Sequence, residues 1–185
     1  MGAAVKFNRA LWQSSAMLIA MAGLPAAGKS SIAAGVGGAL SCPVVAVDPI
    51  EAALRRSIDR DQPTGLAAYL VAEAVADGIL ALGQTVIVDA VNAVEPARRQ
   101  WRALADRHRV RLAVIEVVCS SPALHRRRLE ERDRGIEGFD EPTWTAVERV
   151  RGEYEPWTDR RLVLDSAAEL TGNVKRALEF IAGLR

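Results

Sequence analysis

Residues 23–30 read Gly23-Leu24-Pro25-Ala26-Ala27-Gly28-Lys29-Ser30, the pattern G-x-x-x-x-G-K-[ST], and follow an apolar run over 17–22 that reads as a buried strand. Gly23 and Gly28 permit the backbone bends that turn several N–H groups onto one anion. A helix starting near Lys29 aims its positive dipole end at the same point. Lys29 is placed to reach β- and γ-phosphates, and the Ser30 hydroxyl to ligate Mg2+. A phosphate-binding loop over Gly23 to Ser30 is therefore expected.

Outward from this loop, short apolar runs alternate with helical patterns. Strands are expected over 17–22, 44–47, 85–89, 111–119 and 161–164, with helices over 29–40, 50–58, 64–82, 95–107, 122–132, 142–154 and 168–182. Five such strands separated by helices imply an α/β fold: a three-layer, mainly parallel five-stranded sheet of the P-loop kind. Ligands then bind outside the carboxyl ends of the strands. The 64–82 helix is apolar apart from Glu73 and Asp77, which predicts a buried helix with one thin wet stripe. Gly35, Gly37 and Gly38 in the first helix imply either close packing or early fraying.

At 185 residues the chain suits a single domain over 1–185, and half of it is apolar, which argues against disorder. With 24 Lys and Arg against 23 Asp and Glu the net charge is +1, so no global field recruits nucleic acid or an anionic membrane. Cys42 and Cys119 lie in strand-like context without C-x-x-C, and neither His108 nor His125 has metal-ligand spacing around it. Buried, reduced thiols in a cytoplasmic protein are expected. Lys6 and Arg9 before the apolar 16–24 imitate a signal peptide, but cleavage there would destroy the phosphate loop, and the run is too short to span a bilayer. Gly2 lacks the hydroxyl residue that myristoylation needs, since Lys6 stands there.

Asp48 ends the second strand on the rim of the phosphate loop. A carboxylate there either accepts a proton from an attacking hydroxyl or caps the helix that Pro49 begins. Asp89 ends the third strand in Asp89-Ala90-Val91-Asn92, where it can hold Mg2+ through water or contact the acceptor, or cap a loop. Arg98 and Arg99 read as solvated helix charges. Residues 126–141 form the one strong compositional break, charged and punctuated by Gly135 and Gly138, and read as a mobile lid. Arg128 and Arg132, spaced i, i+4, project from one helix face toward it, to clamp phosphates with Arg134 or to pair with Glu130 and Glu131.

These residues resemble the small P-loop kinases that include gluconate kinase, shikimate kinase, chloramphenicol phosphotransferase, zeta toxins and the kinase domain of polynucleotide kinases. The resemblance runs from Gly23 through Leu164. It is carried by the loop, Asp48, the Asp89 to Asn92 segment with Arg98, Arg99 and Trp101, Cys119, and the Arg128 and Arg132 pattern. The chain as a whole is similar to uncharacterised bacterial proteins labelled AAA-family ATPases or predicted kinases, although 185 residues leave no room for the helical subdomain of a full AAA+ module. The resemblance implies nucleotide binding by Gly23, Leu24, Pro25, Ala26, Ala27, Gly28, Lys29, Ser30 and Ser31, and catalytic roles for Lys29, Asp48, Arg128 and Arg132. It implies acceptor contacts from Asp48, Arg55, Asp89 and Asn92, metal contacts from Ser30 and Asp89, and ATP with Mg2+ as the cofactors.

An ATP-dependent phosphotransferase acting on the hydroxyl of a small molecule is the leading expectation. A polynucleotide or nucleotide kinase is favoured by the Asp89 to Arg99 segment and disfavoured by the near-zero charge. In a third reading, an ATP-binding switch or slow ATPase, Asp48 only caps its helix. A GTPase is disfavoured, because Asn173-Val174-Lys175-Arg176 lacks the closing Asp of the guanine-reading motif. No motif names the acceptor or the oligomeric state.

Overall fold

The computed structural model of the chain describes residues 16–57, 64–137 and 141–184. Gly2, Lys6, Arg9, Ile58 and lid residues 138–140 lie outside this set, with the expectations attached to them.

Five strands form one all-parallel sheet: β1 (Met17–Ala22), β2 (Val44–Ala46), β3 (Val86–Asp89), β4 (Arg111–Val118) and β5 (Arg161–Asp165), in the order β2-β3-β1-β4-β5. The helices are α1 (Lys29–Leu40), α2 (Val47–Ser57), α3 (Gly65–Ala81), α4 (Glu95–His108), α5 (Pro122–Glu130), α6 (Trp144–Glu153) and α7 (Leu170–Gly183). Strand alternation sorts the core into two layers. Met17, Ile19 and Met21 of β1 face α1 and α7. Leu18 and Ala20 face the other way, toward α3 and α4. All six β1 residues are buried, so each large side chain there contributes roughly 1.5–3 kcal/mol.

Two glycines of α1 are close-packing residues. A Cβ on Gly35 would lie 2.6 Å from Val174 Cγ2 of α7, and one on Gly37 2.9 Å from Val44 Cγ2 of β2. Gly38 meets nothing within 4 Å, and the helix runs on to Leu40.

The expected buried helix with a thin wet stripe is not what forms. In α3 the small residues Ala68, Ala72 and Ala76, with Leu80, face the sheet, while Leu66 (73% exposed), Leu70, Val71 and Val75 point outward. Glu73 and Asp77 are not a bare wet stripe either: Arg107 of α4 bonds both at 2.8 Å, and His108 meets Asp77 at 2.9 Å. Small residues win the inner face because they let the helix approach the sheet closely.

Candidate active site

The phosphate loop leaves β1 at Gly23 (φ 132°), where a Cβ would overlap the Val117 carbonyl oxygen, and enters α1 through Gly28 (φ 94°). Both positions require glycine. Ala26 adopts φ 60°, a left-handed conformation that an L-residue tolerates at some cost. The Gly23 N–H donates to Val91 O at 3.1 Å, which ties the start of the loop to the segment after β3.

Lys29 lies at the first turn of α1, 8% exposed, with Nζ donating to Leu24 O at 2.9 Å, so the side chain folds back across its own loop. Burial lowers the affinity of its ammonium for the proton, and the carboxylates of Asp89 and Asp48 oppose that. Asp89 is 8% exposed, and its Oδ1 is fully buried without a hydrogen-bond partner. A buried carboxylate oxygen left unpaired costs free energy unless water, a cation or a ligand satisfies it. Ser30, one residue beyond Lys29, is exposed and lines the same space. Among the described residues no group of three His, Cys, Asp or Glu could hold a metal by itself. The donor set fits a hard cation that keeps most of its waters, which Ser30 would ligate directly and Asp89 would reach through water.

Asp48 was expected at the end of β2 as a possible helix cap. The strand stops at Ala46, α2 begins at Val47, and Asp48 sits inside the first turn, where a carboxylate still suits the helix dipole. Its Oδ2 accepts from Arg134 Nη1 at 2.6 Å. Arg134 also forks onto Glu141, with Nε to Oε1 at 2.6 Å and Nη2 to Oε2 at 3.1 Å. Burial works against the Arg134 charge, but Glu141 and Asp48 more than offset it and hold its pKa above the ordinary arginine value.

The helix carrying Arg128 ends at Glu130, so Arg132 lies in the following segment and the two do not share a helix face as expected. Both nevertheless line one cavity of about 470 Å3 together with Gly28, Lys29 and Ser30. Arg128 donates to Ser166 Oγ at 2.8 Å and to Ser166 O at 3.0 Å, anchoring α5 to the loop after β5. Arg132 Nε stands 3.6 Å from Glu141. Burial lowers its pKa, and the Arg134 cation adds to that. Of the local pairs offered by Glu130 and Glu131, the one that forms engages Arg126 instead.

A second cavity, about 680 Å3, opens on the other side of Lys29 and Ser30 and is lined by Asp48, Glu51, Arg55, Asp89 and helix α6. Lys29, Ser30, Arg132 and Arg134 line both cavities and thus mark the boundary between them. Arg55 is on the α2 wall, paired with Glu51 at 2.6 Å and donating to Thr64 Oγ1. Leu66, Tyr69 and Leu70 of α3 line neither cavity.

Asn92 departs most from expectation. It is fully buried at φ 52°, Nδ2 donates to Met21 O at 2.7 Å, and Oδ1 accepts from Trp101 Nε1 at 2.8 Å. Its amide is spent on holding β1 to α4, not on an acceptor. Arg98, read as a solvated charge, is 2% exposed. It donates to the carbonyls of Asn92, Ala93, Glu155 and Pro156 and lies 4.1 Å over the Trp157 ring. Together the two residues fix the loop that follows Asp89.

Sequence reasoning passed over His125, which it weighed only for metal spacing. His125 is 2% exposed, its Nε2 meets Pro25 O at 2.7 Å, and its ring sits edge-on to Trp144. A carbonyl only accepts, so Nε2 carries the hydrogen. Its place three residues before Arg128 on the same helix was the available signal. Ser166 and Asn173, on the far wall of the first cavity, carry no sequence motif at all.

Residues 18–156, from β1 through α6, match the family described as an AAA domain. The chain belongs to that AAA domain family. Among solved structures it is similar to a candidate kinase from Chloroflexus aurantiacus, 20% identical with TM-score 0.73, covering 90% of this chain and 99% of that one. Chaetomium thermophilum Kti12, solved with ADP-AlF3, is 19% identical with TM-score 0.69, covering 89% and 96%. A gluconokinase from Sinorhizobium meliloti is 21% identical with TM-score 0.66, covering 91% and 93%. These likenesses establish a P-loop kinase-like α/β fold. No curated protein matches the chain. Among the described residues no helix is long and apolar enough to cross a membrane.

Proposed function

We propose that the protein is an ATP-dependent phosphotransferase that moves the γ-phosphate to a hydroxyl of a small molecule. The observation that carries this reading is the pair of cavities meeting at Lys29, Ser30, Arg132 and Arg134. One takes nucleotide against the phosphate loop; the other takes the acceptor. The boundary between them is where an in-line transfer must occur.

In this reading the loop amides and Lys29 hold the β- and γ-phosphates, while Arg128 and Arg132 neutralise charge that develops on transfer. Ser30 and Asp89 would hold Mg2+, which offsets charge on the transferred phosphoryl group when bound. Asp48 faces the acceptor cavity and receives or orients the hydroxyl proton once Arg134 moves off it. Residues 131–137, which follow α5 and carry Arg132 and Arg134, act as the lid. The two cysteines, neither of them in a disulfide, suit the reducing cytoplasm.

The Arg134–Asp48 pair also favours a second reading, an ATP-binding switch or slow ATPase in which Asp48 serves only to dock the lid. A polynucleotide kinase loses ground, because the Asn92 and Arg98 segment that suggested it is taken up by the core.

The deciding experiment screens hydroxyl compounds for ATP-to-ADP conversion by wild type and by Asp48→Asn. The phosphotransferase reading expects acceptor-dependent turnover that Asp48→Asn lowers by roughly 10² to 10⁴ while Mg·ATP binding persists. Wild type that binds Mg·ATP and releases ADP at one rate regardless of acceptor points to the switch.

A further inference from the structure

The phosphate loop is tied down at its two ends and across its own width. Gly23 N–H meets Val91 O at 3.1 Å, Ile32 N–H closes the first turn of α1 onto Gly28 O, and Leu24 O accepts from both Ala27 N–H at 3.1 Å and Lys29 Nζ at 2.9 Å. The apex between these ties carries the strain. Ala26 stands at φ 60°, a left-handed shape that glycine adopts freely and alanine only at a cost, and Pro25 before it has no N–H with which to fix the turn. Such a turn relaxes unless its surroundings over-determine it.

Packing leaves it room to do so. Toward β4, α5 and α6 the loop faces a third cavity of about 340 Å3, lined by Gly23, Leu24 and Ala27 on one side and by Cys119, His125 and Tyr154 on the other. His125 reaches across to the apex. Its Nε2–H donates to Pro25 O at 2.7 Å, on the peptide that leads into Ala26, and the residue is 2% exposed. The donor is rigidly mounted. Trp144 of α6 meets the ring edge-on with centroids 5.3 Å apart, and one turn further along α5 Arg128 anchors the helix by donating to Ser166 Oγ and O. A group held in this way fixes the turn rather than following it.

We infer that His125 is a positioning residue of the phosphate loop, whose Nε2–H keeps the Pro25–Ala26 turn in the left-handed shape that leaves the loop amides open to phosphate. Without that bond the turn spends part of its time in shapes that do not bind, and the apparent affinity falls with the competent fraction. The inference rests on the nucleotide-binding loop of the phosphotransferase reading. The shape of the turn itself can be followed without any ligand.

The test compares the full chain with His125→Leu, which keeps bulk and loses the donor, and with His125→Gln, whose amide supplies one. Mg·AMPPNP is titrated by calorimetry, and hydrogen exchange of the Ala27 amide, which bridges the turn to Leu24 O, is followed in the ligand-free protein. His125→Leu should weaken Mg·AMPPNP binding about tenfold and speed Ala27 exchange by a similar factor, the scale of one buried hydrogen bond left unmade, while His125→Gln should recover most of both. In an Ala26→Gly background, where the left-handed shape no longer needs holding, His125→Leu should weaken binding less than about threefold. Equal binding and exchange in wild type and His125→Leu reduces His125 to a packed core ring and overturns the inference. So does an equal defect in His125→Leu and His125→Gln, or a loss of undiminished size in the Ala26→Gly background. Wild type that binds no Mg·AMPPNP sinks the phosphotransferase reading, and Ala27 exchange then decides the positioning role by itself.

Discussion

Arg134 and Asp48, far apart in the chain, meet at 2.6 Å and tie the segment after α5 to the first turn of α2. Their side chains are 20% and 35% exposed, so water screens the pair and its worth is modest. A double-mutant cycle of Asp48→Asn and Arg134→Gln, read by urea unfolding, should give a coupling of about 0.5–1 kcal/mol at low salt. The coupling should shrink in 1 M salt, where screening acts within about 3 Å. A coupling that persists undiminished in high salt would mean that the pair is desolvated and that lid opening there costs more.

Lys29→Ala removes the one ammonium in the phosphate loop. Calorimetry should show Mg·ATP binding weakened or lost, and any phosphoryl transfer should fall by roughly 10² to 10³, as when one charge-stabilising donor leaves an enclosed site. Its circular dichroism should match wild type, since among the described residues the Lys29 ammonium makes one hydrogen bond, to Leu24 O of its own loop. Unaltered Mg·ATP affinity in the folded variant would remove the loop from the site.

Asn92→Ala tests a residue whose place in the fold reverses its expected role. The substitution leaves the Trp101 indole N–H and the Met21 carbonyl without their buried partner and places alanine at φ 52°. A loss of about 2–4 kcal/mol in unfolding free energy is expected from the orphaned polar groups and the backbone strain combined. If stability were unchanged and only acceptor KM rose, Asn92 would be a substrate contact after all.

His125 gives the stability a pH dependence. Burial holds its pKa below the ordinary value of 6.5, although the Pro25 carbonyl pulls the other way. As pH falls below that value the unfolded chain takes up a proton that the folded one refuses, so stability declines on acidification and recovers above about pH 6.5. His125→Gln, which keeps a donor toward Pro25, should flatten the slope of unfolding free energy between pH 7 and pH 5. An equally steep slope in the variant would assign the effect to other groups.

The phosphate loop and the strand alternation were legible because they depend on local pattern: two glycines, a lysine and apolar runs of strand length. Asp89 was legible for the same reason, as an acid closing an apolar run. Arg98 was not. Nothing distinguishes it from Arg99 in sequence, and the segment that covers it, with the Tyr154 and Trp157 rings and the Glu155 and Pro156 carbonyls, comes from the end of α6 and beyond. The outward face of α3 was missed because apolar content was weighed without size, although Ala68, Ala72 and Ala76 at intervals of four marked the side that approaches the sheet. Arg132 was placed on a helix that ends before it, since no glycine or proline at Glu131 announced the stop.

Because β1 is the middle strand, Leu18 pairs with Val86 on one side and Met17 with Arg111 on the other. The phosphate loop thus cannot take its shape until β3 and β4, which follow it in sequence, have docked on either side of β1. A ligand for that loop recognises only finished molecules, and at a hundred times its dissociation constant it would deepen the folded state by about 2.7 kcal/mol.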